Sequence, residues 1–163
     1  MVRFIPMTMK EYQSYMDNVI DELPKEYIRA GVQDQKQAIR QVKEQIERIL
    51  PNGLETPNNF LYSIIDEAIS NKVGILWYEI REKEGIKQAF ICDISIDKNH
   101  RRKGYATKAF QVLEEEVKSK GISTIKLHVF GHNEPAIILY KKIGYKTTNV
   151  LMSKDLSLNN QTV

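Results

Sequence analysis

Apolar residues recur three or four positions apart through the first fifty residues of the chain, and they alternate thereafter. "VRFIPM" at the start reads as a short strand. Thr8 with Glu11 three residues on has capping-box spacing. Tyr12, Tyr15, Met16, Val19, Ile20 and Leu23 then follow at helical intervals, which predicts a first helix that Pro24 interrupts. A second helix is predicted over 34–50, with Ala38, Ile39, Val42, Ile46, Ile49 and Leu50 on one face and "PNG" as its stop. "NNFLYSIID", "KVGILWYEI" and "KQAFICDISI" are rich in β-branched and aromatic residues. With "SNK" and "EKEG" between them they read as three consecutive antiparallel strands. A third helix is expected over about 102–120, turning Ala106, Ala109, Phe110, Leu113 and Val117 inward and ending at Gly121. "STIKLHVF" alternates as a strand. "NEPAIILYKKIG" reads as a short helix with Pro135 in its first turn and Gly144 at its stop, and "YKTTNVLMSKDL" supplies one or two final strands. The resulting order, β-α-α-β-β-β-α-β-α-β(β), predicts an α/β fold of the α+β kind, a mixed sheet with helices packed on it.

At 163 residues the chain is expected to form one domain, 1–163. Its 42% hydrophobic and 28% charged residues are the balance of a globular protein and exclude an intrinsically disordered one. A net charge of +3 falls far short of a chain built to coat nucleic acid. Cys92 is the only cysteine, so no intramolecular disulfide can form and a buried core thiol is expected. No apolar run approaches the length of a membrane span and no apolar targeting segment opens the chain, so a cytoplasmic protein without a membrane partner is expected. No His/Cys spacing points to a metal, and no Ser–His–Asp arrangement is evident.

One stretch changes the picture. "NHRRKGYATKAF", residues 99–110, drives three cationic side chains into a glycine and then into a helix start. A helix N-terminus is already positive and carries unpaired N–H donors, so this concentration of charge calls for an anion. Gly104 and the small Ala106 would let main-chain amides close on a phosphate. No GK[ST] follows and no G-x-G-x-x-G is present, so neither a P-loop nor a dinucleotide fingerprint applies. In the strand before this turn, alternation puts Phe90, Cys92, Ile94 and Ile96 on one face, expected to pack on the following helix. Ile91, Asp93 and Ser95 fall on the other face, which aims the Asp93 carboxylate into a cleft.

Arg101, Gly104 and Ala106 match R-x-x-G-x-[GA] between a strand and a helix. Asn133, Ala136, Tyr140, Gly144 and Tyr145 match N-x-x-A-x-x-x-Y-x-x-x-G-[FY] further on. In order and flanking elements the chain resembles the GNAT superfamily of N-acetyltransferases, closely over about 60–152. The resemblance implies that the fourth and fifth strands splay apart, that residues 60–156 form an acetyl-CoA-binding core, and that the helices of 1–55 form the acceptor side. It implies acetyl-CoA as co-substrate, with its diphosphate on the main chain and side chains of Arg101, Arg102, Lys103, Gly104, Tyr105 and Ala106. The pantetheine arm would lie along Ile94, Ser95 and Ile96 and bond to Asn133.

The implied reaction is direct attack of a neutral amine on the thioester, the oxyanion being held by a main-chain N–H near Ile94. Tyr140 would then protonate the departing thiolate. Asp93 is the first choice of general base, with Glu79 and His128 as alternates. On the acceptor side Glu22, Glu26 and Tyr27 could attract a cationic small amine, a polyamine, a protein lysine or a protein N-terminus, and Trp77 could line the acceptor cleft, with a sheet-core tryptophan the preferred reading. A homodimer is an expectation by analogy alone. Two rival readings stand beside this one: a non-catalytic acyl-CoA-binding regulator of the same fold, and a basic nucleic-acid-binding module. The second leaves Asn133, Tyr140 and Gly144 unexplained and sits poorly with a charge of +3.

Overall fold

The computed structural model describes residues 1–32 and 34–157. The chain divides into two compact units, Met1–His132 and a second one beginning at Asn133. The first is built on a sheet in the order β1-β2-β3-β4-β5, formed by β1 (Val2–Pro6), β2 (Asn59–Asp66), β3 (Asn71–Lys83), β4 (Ile86–Ile96) and β5 (Ile125–Leu127). The first four are antiparallel neighbours and β5 runs parallel to β4. Among the described residues, three α-helices belong to this unit: α1 (Met9–Arg29), α2 (Gln35–Ile49) and α3 (Tyr105–Ser119).

The start of α1 is the capping box read from the sequence: Glu11 N–H donates to the Thr8 hydroxyl and the Thr8 N–H donates to the Glu11 carboxylate at 2.8 Å. Its end is not where the sequence put it. The helix runs through Pro24 to Arg29, with the proline buried inside it. Proline removes one intrahelical donor, and here tertiary packing outweighs that loss. Asp34 caps α2 by accepting from the Lys36 N–H at 3.1 Å, and Ala38 and Val42 are fully buried.

Met7, Tyr15, Met16, Leu50, Leu61, Ile75 and Trp77 form one core cluster, in which α1 meets one face of the sheet. Against the other face lies α3, its Ala109, Phe110, Leu113 and Val117 buried at helical spacing. The contact is tied by the Glu116 carboxylate, which accepts from the hydroxyls of both Tyr62 and Tyr78.

Three further readings need correction. The third helix starts at Tyr105 rather than Arg102, because Arg102 (φ 61°) and Gly104 (φ 79°) are left-handed and cannot belong to a right-handed helix. "STIKLHVF" is paired as a strand only over Ile125–Leu127, since β4 offers it partners only from Ala89 to Ile91. "YKTTNVLMSKDL" forms no strand among the described residues, so the sheet ends at β5.

In the second unit, α4 (Glu134–Lys142) begins as expected, with Pro135 in its first turn. Asn133 caps it by accepting from the Ala136 N–H at 3.3 Å. Gly144 takes φ 101° past its end, and the Tyr145 N–H closes back on the Tyr140 carbonyl at 2.9 Å. No helix among the described residues is long and apolar enough to cross a membrane.

Candidate active site

The site starts from a counting irregularity in β4. Ile91 lies opposite Tyr78 and Asp93 opposite Trp77, so Cys92 is an extra residue, a β-bulge. Residues directly opposite one another share a face of the sheet. Ala89, Ile91, Ile94 and Ile96 therefore lie with Ile80, Tyr78, Leu76 and Gly74 on the α3 face. Phe90, Asp93 and Ser95 lie with Glu79, Trp77 and Ile75 on the α1 face, where Cys92 also packs. Strict alternation thus misplaced Phe90, Cys92 and Ile91, and it placed Asp93, Ser95, Ile94 and Ile96 correctly.

A bulge bends its strand and disrupts the ladder. The pairing of β4 with β5 ends at Ile91, the residue before the bulge, so the edge of β4 from Cys92 to Ile96 is not paired by β5. This is the splay that the sequence resemblance implied. On the other side β3 approaches closely. A Cβ on Gly74 would sit 2.2 Å from the Ser95 carbonyl oxygen, so only glycine fits there.

At the bulge the Tyr15 hydroxyl of α1 donates to Asp93 Oδ2 at 2.7 Å. Burial pushes the Asp93 carboxyl above the usual carboxylate range, while the Tyr15 hydroxyl and the Ile94 N–H act in the opposite direction. Burial, with the Asp93 charge beside it, also raises the Tyr15 phenol well above its ordinary value, so the phenol stays a donor. Asp93 is thus a carboxyl group kept proton-hungry by its surroundings and held by two neutral donors. The Ile94 N–H, expected as an oxyanion donor, is engaged with this carboxylate. Burial pushes the Cys92 thiol up to about 12, which makes it a poor nucleophile.

The glycine turn has its own logic. Arg101 spends its Nε on the Ile96 carbonyl at 2.9 Å, and Lys103 Nζ reaches the Asn99 carbonyl at 3.0 Å. The Tyr105 hydroxyl donates to Asp66 and ties the start of α3 to the end of β2, so Tyr105 offers a ligand its main chain only. An added Cβ at Gly104 would meet no protein atom within 4 Å. Its positive φ, not crowding by protein, therefore demands glycine. No side-chain hydrogen bond caps α3, and the exposed Arg101, Arg102 and Lys103 immediately precede its start. That arrangement fits a phosphate or diphosphate.

The alternate residues are otherwise occupied. Glu79 pairs with Arg81, whose guanidinium lies 3.6 Å over the Phe90 ring. His128 meets Phe130 edge-on, with ring centroids 5.1 Å apart. The Tyr27 hydroxyl donates to Gln45 Oε1 at 2.6 Å. Glu22 is paired with Lys25, and Glu26 with Arg29 and His132. Trp77 is the buried sheet residue expected of it, its indole N–H donating to Asn59 at 2.9 Å. Asn133 and Tyr140 lie in the second unit. No cluster of metal ligands occurs among the described residues. Tyr15 is the site residue that sequence reasoning missed. Its helical spacing marked it as core, which it is, and only its hydroxyl hinted at more.

Comparison with known proteins agrees with this fold. The chain belongs to the acetyltransferase (GNAT) family, whose model matches residues 16–145. It is 35% identical over 157 residues to the uncharacterized N-acetyltransferase YycN of Bacillus subtilis, covering 95% of this chain and 99% of that one. The uncharacterized N-acetyltransferase YdgE of the same organism is 32% identical over 150 residues, covering 92% and 95%. The crystal structure of YycN superimposes with a TM-score of 0.89 over 96% of this chain and 99% of that one, at 34% identity.

Proposed function

We propose that this protein transfers the acetyl group of acetyl-CoA to a primary amine by direct attack within a ternary complex. The observation that carries this reading is the Asp93 carboxyl, half-buried at the β4 bulge and held by Tyr15 just past the point where pairing with β5 ends. A base that must take a proton from an ammonium group works best with a raised affinity for protons, and burial supplies that at Asp93. Acetyl-CoA would bring an activated thioester and a diphosphate. The amides of Gly104, Tyr105 and Ala106, with Arg101, Arg102 and Lys103 around them, would hold the diphosphate. Main-chain groups along Ile94, Ser95 and Ile96, on the edge that β5 does not pair, would line the pantetheine arm, and Asn133 would bond to it. N–H groups on that same edge would stabilise the negative charge that develops on the acyl oxygen. Tyr140 would return a proton to the departing sulfur. The acceptor is an amine presented from the α1 and α2 side, near Tyr27.

The test is a panel of small amines, polyamines, lysine peptides and peptide N-termini, read by release of free thiol from acetyl-CoA. Turnover on at least one class is expected. Tight coenzyme binding with no thiol released from any amine would turn the reading into that of an acyl-CoA-binding regulator.

A further inference from the structure

The acidic residues expected to draw in a cationic acceptor are already neutralised: Glu22 pairs with Lys25, and Glu26 with Arg29 and His132. The side chains that share the α1 face with Asp93 have a different character. Two residues along β3 from Trp77, the partner of Asp93, Glu79 stands opposite Phe90. Lys126 of β5 stands opposite the same Phe90 on its other side. Residues opposite one another share a face of the sheet, so Glu79, Phe90 and Lys126 lie on the side that holds Asp93. Arg81 follows Glu79 at the strand period of two and joins them. All of these residues belong to Met1–His132.

Arg81 is the best prepared of them to meet a ligand. Its guanidinium lies 3.6 Å over the Phe90 ring, and its Nε donates to Glu79. An arginine on a strand ordinarily samples many rotamers; here a stacked ring and one charge-assisted bond hold it in a single plane. The Nε is spent, the two terminal nitrogens are left, and the side chain is half-exposed. Two N–H groups in one plane suit two oxygens of a carboxylate or a phosphate. Glu79 offsets the charge of Arg81, and Lys126 across the ring restores one positive charge.

The sheet also sets a distance. The pair of Glu79 with Phe90 lies two residues from the pair of Trp77 with Asp93, about 7 Å along the strands. An extended chain advances about 3.8 Å in three bonds, so that gap is roughly five or six bonds.

We propose that the acceptor is a primary amine carrying an anionic group, carboxylate or phosphate, roughly five or six bonds from its nitrogen. Arg81, with Lys126, holds the anion while Asp93 takes the proton from the amine. This rests on the acyl-transfer reading and adds to it the acceptor class and two specificity residues.

Acceptors of matched length test it: δ-aminovalerate, its neutral amide, the diamine cadaverine, and aminopropyl phosphate. In thiol release from acetyl-CoA, kcat/KM for at least one anionic amine should exceed that for the amide and the diamine at least tenfold. Which anion leads decides between carboxylate and phosphate. Arg81→Gln should cut the preference of anion over amide at least tenfold, and Lys126→Gln, on another strand, at least threefold. A ratio between acceptors cancels any effect of either variant on folding or on Asp93. A diamine preferred to both anions, or a preference that survives both substitutions, overturns the proposal. Calorimetry of the two anionic amines with protein saturated in coenzyme A reads the same site without turnover. Binding that weakens at least tenfold in Arg81→Gln upholds the anion site even where no thiol is released, and then the acyl-transfer reading alone fails. Absence of both binding and preference overturns the proposal.

Discussion

Replacing Tyr15 by Phe removes one oxygen from the site and leaves the ring in its core cluster. That oxygen donates at 2.7 Å to Asp93 and holds the carboxyl's proton affinity down against the burial that raises it. Cys92 interacts with both Asp93 and Glu79, and Tyr12 with Tyr15. A hydrogen bond to a charged group contributes about 1.5–3 kcal/mol, which corresponds to roughly 10- to 150-fold in an ionisation equilibrium. Asp93 must be ionised to accept a proton from the acceptor, so the acid limb of the kcat/KM profile reports its titration in the free enzyme. In Tyr15→Phe that limb moves to higher pH. At a fixed pH on the limb kcat/KM falls by roughly 10- to 150-fold, while the plateau at higher pH is retained to within a few fold. Profiles of both proteins with one good acceptor, with circular dichroism as a control for folding, make the measurement. An unshifted limb, or an equal loss at every pH, would refute the link between Tyr15 and the ionisation of Asp93.

Asp93→Asn should lower kcat by about 10² to 10⁴ with coenzyme affinity unchanged by calorimetry. Because the folded carboxyl holds its proton to higher pH than the unfolded one, wild-type stability falls as pH rises through that window. The Asn variant should therefore melt higher than wild type at neutral pH, and the gap should close in acid; a lower melting temperature at neutral pH would contradict the burial argument. Tyr140→Phe is expected to slow single-turnover acetyl transfer by about 10²-fold or more, and a wild-type rate would limit Tyr140 to a structural role in α4. Gly104→Val forces a branched side chain to φ 79°, at a cost of about 1–2 kcal/mol in folding. Its coenzyme affinity should fall at least tenfold in calorimetry, and unchanged affinity would remove the turn from the coenzyme site.

Much of the fold was legible because local chemistry and tertiary demand agree. Thr8 and Glu11 cap α1, Asp34 caps α2, and three alternating runs became β2, β3 and β4 in antiparallel order. Failures came where distant partners decide. Pro24 is a helix breaker in isolation, but burial within α1 overrides it. "STIKLHVF" has strand chemistry throughout, yet a strand extends only as far as a neighbour accompanies it, and β4 stops doing so at Ile91. In the candidate site, Gly104 was singled out for its lack of a side chain before a helix start, although its left-handed φ is what demands it, and alternation put Asp93 on its observed face although the bulge at Cys92 broke the pattern for Phe90, Ile91 and Cys92. Tyr15 was not, since nothing in a helical stripe distinguishes a ring that only fills space from one whose hydroxyl reaches a strand 78 residues away.

The residue that interrupts the pleat at Cys92 carries a consequence for how such a protein could gain or lose its cleft. With Cys92 deleted, Ile91 and Asp93 would keep their partners Tyr78 and Trp77 and their sides of the sheet, and only the surplus would vanish. The two halves of β4 would join in a straight run that β5 could follow to its end. Such a molecule should fold at least as well as its parent and would lack the unpaired β4 edge on which the proposed coenzyme binding rests, a change of a single codon.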